Sequence, residues 1–128
     1  MEYNDHLFRV SIKAVIRNAR GEVLVVHEKG QSGWGFPGGG MDHGETLKEA
    51  MKRELYEELG YEGEFTMKLL TAEDARLLPS RAVETWQLRL IYEVTTENMN
   101  FSIGEHALEI KFAPLDELQD VPGVQFIS

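Results

Sequence analysis

The sequence predicts an α/β fold, a mixed β-sheet with helices packed on it, and two kinds of pattern lead to this prediction. Four segments alternate apolar with polar residues, as half-buried strands do, and a fifth is continuously apolar, as a central strand is. Residues 46–60 instead repeat apolar residues at helical spacing between capping signals. Strands and helices in this order favour a sheet with helices layered on it.

The predicted strands follow one another along the chain with turn-forming residues between them. Residues 71–81 are expected to form a long connection between two strands, and residues 98–100 a hairpin turn. From Pro114 onward we expect a short second helix that ends near Pro122. The predicted strands are residues 8–16, 23–26, 65–69, 86–94 and 108–112.

The long helix has both a start signal and a stop signal. Thr46 and Glu49 have the T-x-x-E form of a capping box, in which the two residues satisfy backbone amides of the first turn reciprocally. Gly60 follows Leu59 at the position where a residue in the left-handed conformation usually closes a helix. These signals predict a helix that begins after Thr46 and ends at Leu59.

Three glutamates of this helix are poorly placed for a solvent-exposed role. At about 100° per residue, Glu54 and Glu58 fall inside the apolar arc and Glu57 lies at its edge. Burial of neighbouring like charges costs free energy through desolvation and through mutual repulsion. A bound divalent cation would remove both costs, and Arg53 can brace Glu57 four residues away. The helix therefore predicts a metal site.

Three consecutive glycines, Gly38 to Gly40, come shortly before the helix. Without side chains, this stretch of backbone can turn sharply and approach a ligand closely. Its amides and carbonyls can meet phosphate oxygens or a metal ion. Mg²⁺ typically combines a few protein oxygens with water and substrate phosphates. The glycines and the glutamates together indicate metal-dependent phosphate chemistry.

The same residues carry a family resemblance. Residues 39–61 resemble the Nudix box of the Nudix hydrolases (MutT-like), and residues 34–37 and 112–118 resemble the family's flanking segments. Tyr61 stands where the family usually has an aliphatic residue, and we expect this difference to affect packing more than chemistry. The residues that match the box at its spacing are Gly39, Glu45, Arg53, Glu54, Leu55, Glu57, Glu58 and Gly60.

The resemblance implies an α/β/α sandwich in which the box helix packs on a mixed sheet, and it implies a metal site. By this resemblance Glu54, Glu57 and Glu58 bind the metal, and the Gly38 carbonyl is a further ligand. Glu45 would join the outer shell of the metal. The implied cofactor is Mg²⁺, with Mn²⁺ as an alternative.

The resemblance also implies catalytic roles. Arg53 would orient the glutamates. In some family members the residue that corresponds to Glu54 acts as the general base, whereas in others a carboxylate outside the box does so. Glu105, in the segment before the last predicted strand, is the candidate for that outside carboxylate.

Candidate substrate contacts lie on both sides of the helix. Gly39 and Gly40 offer exposed backbone to a phosphate. Trp34 could stack on a base, although an aromatic residue at a strand position is more often part of the core. Arg76 and Arg81 lie in the predicted long connection and could clamp a phosphate or a carboxylate, although surface arginines are more often only solvated.

Length and composition limit the classes of protein. With 128 residues and no cysteine, the chain is expected to be a single Nudix hydrolase domain over residues 1–128, without disulfides or thiol catalysis. There is no apolar run of membrane-spanning length and no signal-peptide pattern, so we expect a cytoplasmic protein without a membrane partner. The net charge of −9 argues against general nucleic-acid binding. A homodimer is left open.

These features predict a Mg²⁺-dependent hydrolase that cleaves the diphosphate linkage of a nucleoside diphosphate joined to another group. Nucleotide sugars, ADP-ribose and nucleoside triphosphates are the candidate small-molecule substrates. The alternative is a non-catalytic nucleotide-sensing module with a Nudix fold. The sequence disfavours this alternative because every glutamate of the box is present.

Overall fold

The strands and the long helix were identified in a computed structural model that describes residues 7–79 and 82–127. The helix α1 lies between the fourth and fifth strands, and two short 3₁₀ turns follow the last strand. None of the helices in these residues is long and apolar enough to cross a membrane. The elements are β1 (Leu7–Val15), β2 (Val23–Glu28), β3 (Trp34–Gly35), β4 (Gly38–Gly40), α1 (Leu47–Leu59), β5 (Phe65–Leu78), β6 (Thr85–Thr96) and β7 (Ala107–Ala113), with 3₁₀ turns at Leu115–Glu117 and Val124–Phe126.

The strands form two sheets that share their core. The larger sheet has the order β4-β1-β6-β5, and the smaller has the order β3-β2-β7. Strands β1 and β6 are parallel, with Ile12 opposite Leu90, and all other pairs are antiparallel. The mixed sheet predicted from the sequence is therefore confirmed, although it is divided into two parts.

Apolar side chains fill both faces of the strands. On one face α1 packs through Ala50, Met51, Leu55 and Leu59 against β1, β2 and β6. On the other face the segment after β7 packs through Leu118, Val121 and Val124. Strand β2 is buried on both faces, as its continuous apolar run predicted. The layers have the order helix, strands and C-terminal turns.

Both capping predictions for α1 are confirmed. The Thr46 side chain accepts a hydrogen bond from the Glu49 amide at 3.1 Å, and the Glu49 carboxylate accepts one from the Thr46 amide at 3.1 Å. Gly60 adopts φ 60° and ψ 21°, and its amide donates to the Tyr56 carbonyl at 3.0 Å. Tyr61 is buried in the loop after the helix, and its hydroxyl donates to the Glu64 carbonyl.

The prediction of a long connection at residues 71–81 is wrong for residues 71–78, because β5 continues to Leu78. The pairing of β5 with β6 shifts register between Leu69 and Thr71 and again between Glu73 and Arg76. Each irregularity adds a residue that interrupts the alternation of inward and outward side chains. The period of two therefore disappears from the sequence after Leu69, although the strand does not end there.

Two other local predictions are also wrong. The segment after Pro114 forms two 3₁₀ turns instead of a helix, because its buried residues recur every third position and Gly123 adopts φ 94° between the turns. Residues 98–100 do not form a hairpin turn. They begin the connection between β6 and β7, which lie in different sheets.

The three glycines form strand β4 rather than a loop, and this strand pairs with β1. Gly38 lies opposite Lys13 and Gly40 lies opposite Ser11. Gly38 adopts φ 137°, and a Cβ atom at this position would clash with the carbonyl oxygen of Ile12. Only glycine can therefore bring the backbone this close to β1.

Gly38→Ala should destabilise the fold by about 3 kcal/mol or more, because it combines a strained backbone conformation with a clash against β1. Gly33→Ala is the matched control, since Gly33 has no heavy atom within 4 Å of an added Cβ. Urea unfolding of both variants measures the difference. Equal unfolding midpoints would show that the close approach of β4 to β1 is not required.

Candidate active site

The helix glutamates lie directly against the backbone of β4. The Glu58 carboxylate accepts a hydrogen bond from the Gly38 amide at 2.6 Å. A Cβ atom on Gly39 would lie 2.8 Å from a carboxylate oxygen of Glu54. Glu54 is 7% exposed and Glu58 is 2% exposed. The placement of these two glutamates inside the apolar arc is therefore confirmed, and the residues they face are glycines.

Arg53 holds the neighbouring carboxylates together. Its Nη1 lies 2.9 Å from Glu54 Oε1 and 3.2 Å from Glu57 Oε2. Its Nε and Nη2 bind the two oxygens of Glu45 at 2.7 and 3.0 Å. Nη2 also donates to the Gly40 carbonyl at 3.0 Å. One planar guanidinium therefore links α1, the loop before it and β4.

The hydrogen bonds of Arg53 shift the pKa values of this group of side chains. The side-chain hydrogen bonds from Arg53 and the backbone hydrogen bond from Asp42 hold the pKa of Glu45 at about 2. The pKa of Glu54 shifts in the opposite direction, because burial raises it and the hydrogen bond from Arg53 offsets only part of this rise. The two carboxylates therefore differ in basicity although they share one cation.

Glu58 belongs to a second pair of carboxyl groups. Burial raises its pKa, and a hydrogen bond with the carboxyl group of Glu28 raises it further. The charge of Lys13 and the hydrogen bond from the Gly38 amide lower the pKa of Glu58 by less than these effects raise it. The Lys13 ammonium lies 3.2 Å from the Gly38 carbonyl and 3.4 Å from the Phe36 carbonyl. The Glu58 carboxyl group therefore ionises less readily than an exposed glutamate does.

A cleft of about 810 Å³ opens in front of β4. Its surface comes from β1, β4, β6, the end of β2 and the C-terminal segment. Trp34 and Glu28 stand at its sides, and Lys111 lies over the Trp34 ring at 4.4 Å. The cleft is large enough for a nucleotide-sized ligand.

The donor atoms around β4 fit a hard cation that keeps part of its water shell. In residues 7–79 and 82–127, no group of three acidic or histidine side chains is placed to hold a metal ion without further ligands. Glu58 accepts a hydrogen bond from the Gly38 amide and Glu54 lies against Gly39, while Arg53 holds Glu57 beside Glu54. Mg²⁺ commonly binds through one or two carboxylates together with water and phosphate oxygens. The residues therefore fit Mg²⁺ shared with a phosphate ligand.

The structure brings most of the predicted site residues to this region. Trp34 and the three glycines line the cleft, and the box glutamates lie behind β4. Arg76 does not line the cleft, since it lies on β5 with 62% of its side chain exposed and its Nη2 3.7 Å from Glu73. Arg81 lies outside the described residues.

Glu105 lies exposed in the loop next to the last turn of α1 and is not part of the cleft surface. The amides of Gly104 and His106 donate to the carbonyls of Glu58 and Glu57 at 2.9 and 3.0 Å, which docks this loop on the helix. The side chain that reaches the box is that of His106, 3.3 Å from Glu57. A catalytic role of Glu105 stays a prediction.

Sequence reasoning missed the residues that reach the site from distant strands. Glu28 ends the buried strand β2, and a charged residue at the end of an apolar run is a weak signal that could have identified it. Lys13, Arg9 and Arg89 occupy the polar positions of alternating strands, where a polar residue normally indicates only solvent exposure. Their convergence depends on the pairing of β1 with β4 and β6.

Comparison with known structures defines the class of fold. A MutT protein from Methanosarcina mazei superposes with a TM-score of 0.72 at 20% identity, over 98% of this chain and 92% of that one. The NUDIX domain family matches residues 7–127. The chain belongs to the Nudix family, and the resemblance found in residues 39–61 is confirmed.

Two further comparisons give one sequence relative and one structural neighbour. An RNA pyrophosphohydrolase from Shewanella denitrificans is 44% identical in an alignment 79 residues long, which covers 59% of this chain and 45% of that protein. The chain thus spans less than half the length of this curated relative. The NUDIX domain of Shewanella oneidensis NrtR, solved in complex with ADP ribose, superposes with a TM-score of 0.67 at 19% identity, over 94% of this chain and 80% of that one.

The raised pKa of Glu58 predicts a pH dependence of stability in chelator. The native state keeps a proton that the unfolded state loses above the ordinary glutamate pKa of about 4.5, so stability should fall as the pH rises towards the native pKa. Glu58→Gln can still accept from Gly38 and donate to Glu28, but it does not titrate. Thermal melts between about pH 6 and about pH 9 should show a smaller loss for this variant than for wild type.

Glu62→Gln, at an exposed position, controls for the removal of one acidic group. It should retain the pH dependence of the wild type. Melting temperatures that fall in parallel for wild type and Glu58→Gln would contradict a raised pKa of Glu58.

Proposed function

We propose that the chain is a divalent-metal-dependent hydrolase that splits the diphosphate linkage of a nucleoside diphosphate derivative. The observation that carries the proposal is the contact of Glu54 and Glu58 with Gly38 and Gly39, two glycines that also line a nucleotide-sized cleft. Buried carboxylates against bare backbone offer oxygen ligands beside a surface that a phosphate can approach. Members of the Nudix family are generally dependent on a divalent metal.

In this proposal Glu54, Glu57, Glu58 and the Gly38 carbonyl hold Mg²⁺, and Mn²⁺ could replace it. When bound, the ion would offset the negative charge that develops on the diphosphate during hydrolysis. Arg53 keeps Glu54 and Glu57 in fixed positions through its hydrogen bonds. Both oxygens of Glu45 already bind Arg53, so Glu45 acts by positioning Arg53 and reaches the ion only through water.

Hydrolysis also needs a group that accepts a proton from the attacking water. The water oxygen bonds to phosphorus, the bond from phosphorus to the bridging oxygen breaks, and the proton passes to a carboxylate. Burial raises the pKa of Glu54, which makes this carboxylate a better base than an exposed one. Glu54 is therefore the first candidate. Glu28 is a second candidate on the cleft surface, and Glu105 remains a third.

The relatives support this class of reaction without narrowing the substrate. The name RNA pyrophosphohydrolase belongs to proteins more than twice as long as the matched segment. A net charge of −9 does not favour a long nucleic-acid footprint on this chain. We therefore propose a small nucleotide, bound in the cleft with the diphosphate against β4, as the substrate.

One observation favours a second function, binding without turnover. The Lys13 ammonium already lies 3.2 Å from the Gly38 carbonyl, the proposed metal ligand. A resident ammonium could bind a diphosphate there without metal chemistry. In that case the chain would be a non-catalytic nucleotide-sensing module, the alternative that the sequence analysis gives.

Turnover decides between the two functions. Protein stripped with a chelator should be inactive, and millimolar Mg²⁺ should restore release of a phosphorylated product from at least one nucleoside diphosphate derivative. Glu58→Gln should lower kcat by a factor on the order of 10² or more, because stabilisation of charge by a metal contributes several kcal/mol. Glu49→Gln, which changes only the cap, should keep nearly full activity.

The substrate panel should include nucleotide sugars, ADP-ribose, dinucleoside polyphosphates and nucleoside triphosphates, with products identified by chromatography. Binding of these compounds without hydrolysis by any preparation would support the sensing function. Equal loss of kcat in Glu58→Gln and Glu49→Gln would contradict the metal assignment.

A further inference from the structure

We propose that the Lys13 ammonium competes with the divalent cation for its site and thereby sets the affinity of the chain for metal. The ammonium and the cation need the same carbonyl oxygen and the same glutamate charges. This inference rests on the proposed function, because it takes Gly38, Glu54 and Glu58 as groups that hold the ion. It concerns the strength of metal binding and not the steps of the reaction.

Lys13 lies on β1 and faces the glycine strand. The antiparallel pairing of β1 with β4 places Lys13 opposite Gly38. Its Nζ donates to the Gly38 carbonyl at 3.2 Å and to the Phe36 carbonyl at 3.4 Å. Within residues 7–79 and 82–127, no carboxylate forms an ion pair with Lys13. The ammonium is therefore held by backbone carbonyl oxygens, which are also ligands of hard divalent cations.

The charge of Lys13 also acts on the buried glutamates of α1. It lowers the pKa of Glu54 and the pKa of Glu58, although burial raises each pKa by more. Arg53 binds Glu54 directly, whereas Lys13 is the cationic side chain whose charge acts on Glu58. Glu58 in turn accepts a hydrogen bond from the Gly38 amide. Lys13 therefore interacts with the carbonyl and with two of the carboxylates that the proposed metal site uses.

A divalent cation and the ammonium cannot both use these groups at full strength. A cation bound to the Gly38 carbonyl would lie beside the ammonium that donates to the same oxygen. Like charges this close repel one another strongly where bulk water does not separate them. Lys13 lines the cleft and has a flexible four-carbon stem, so its ammonium can leave Gly38 and move into the cleft. The free energy of this displacement lowers the affinity for metal.

The competition gives Lys13 two effects of opposite sign. Without metal, its positive charge offsets part of the cost of burying Glu54 and Glu58, which stabilises the fold. With metal, the same charge opposes binding of the ion. A lysine that served only the fold would change stability and leave the metal affinity of the folded protein unchanged. Removal of the ammonium should therefore strengthen metal binding without raising stability in chelator.

The test is a Mg²⁺ titration of metal-free protein by calorimetry, together with thermal melts in chelator. Lys13→Met keeps most of the apolar stem and removes the ammonium. It should bind Mg²⁺ about tenfold more tightly than wild type, although it should melt no higher in chelator. Lys13→Arg keeps the positive charge and should gain no affinity for Mg²⁺.

Lys68→Met is the matched control, because it also removes one positive charge but lies exposed on β5, outside the cleft. It should bind Mg²⁺ as wild type does. Equal affinity of Lys13→Met and wild type, weaker binding by Lys13→Met, or equal gains in Lys13→Met and Lys68→Met would overturn the competition even if the chain hydrolyses nucleotides.

Two further outcomes separate this inference from the proposed reaction. Saturable Mg²⁺ binding by Lys13→Met but not by wild type would uphold the competition and contradict a metal-dependent reaction of the natural chain. Absence of binding in both proteins would overturn the competition and the metal site together.

Discussion

The site depends most on the guanidinium of Arg53. This group binds Glu45 through two nitrogens and also holds Glu54, Glu57 and the Gly40 carbonyl. It therefore neutralises carboxylates that would otherwise repel one another and fixes the distance between α1 and β4. Glu58 lies outside its reach and instead accepts a hydrogen bond from the Gly38 amide, next to the Glu28 carboxyl group. The two arrangements leave carboxylate oxygens of α1 along one glycine strand.

The helix and its buried glutamates could be predicted because their signals are local. A capping box, a terminal glycine and the angular position of Glu54 need only the neighbouring residues. Strand β5 could be predicted only in part, since two irregularities in its pairing remove the period of two after Leu69. Strand β4 gave no signal, because glycine does not favour strands and the pairing with β1 is a tertiary effect.

The part of the cleft beyond the box could not be predicted for a related reason. Arg9, Lys13 and Arg89 look like the solvent-exposed residues of alternating strands, and the order β4-β1-β6 turns their side of the sheet into the floor of a cleft. The acidic net charge predicts repulsion of phosphates by the whole chain, yet Arg9, Lys13 and Arg89 all line this cleft. The position of each charge therefore decides more about ligand binding than the net charge does.

The central claim is that Glu58 and the backbone of β4 form a metal site, and a Mg²⁺ titration of metal-free protein followed by calorimetry tests it most directly. Wild type should bind Mg²⁺ saturably in the millimolar range or below. Glu58→Gln should bind it on the order of tenfold more weakly, since one charged ligand is lost, and Glu49→Gln should bind it as wild type does. Absence of saturable binding in wild type, or equal affinity in Glu58→Gln, would contradict the account.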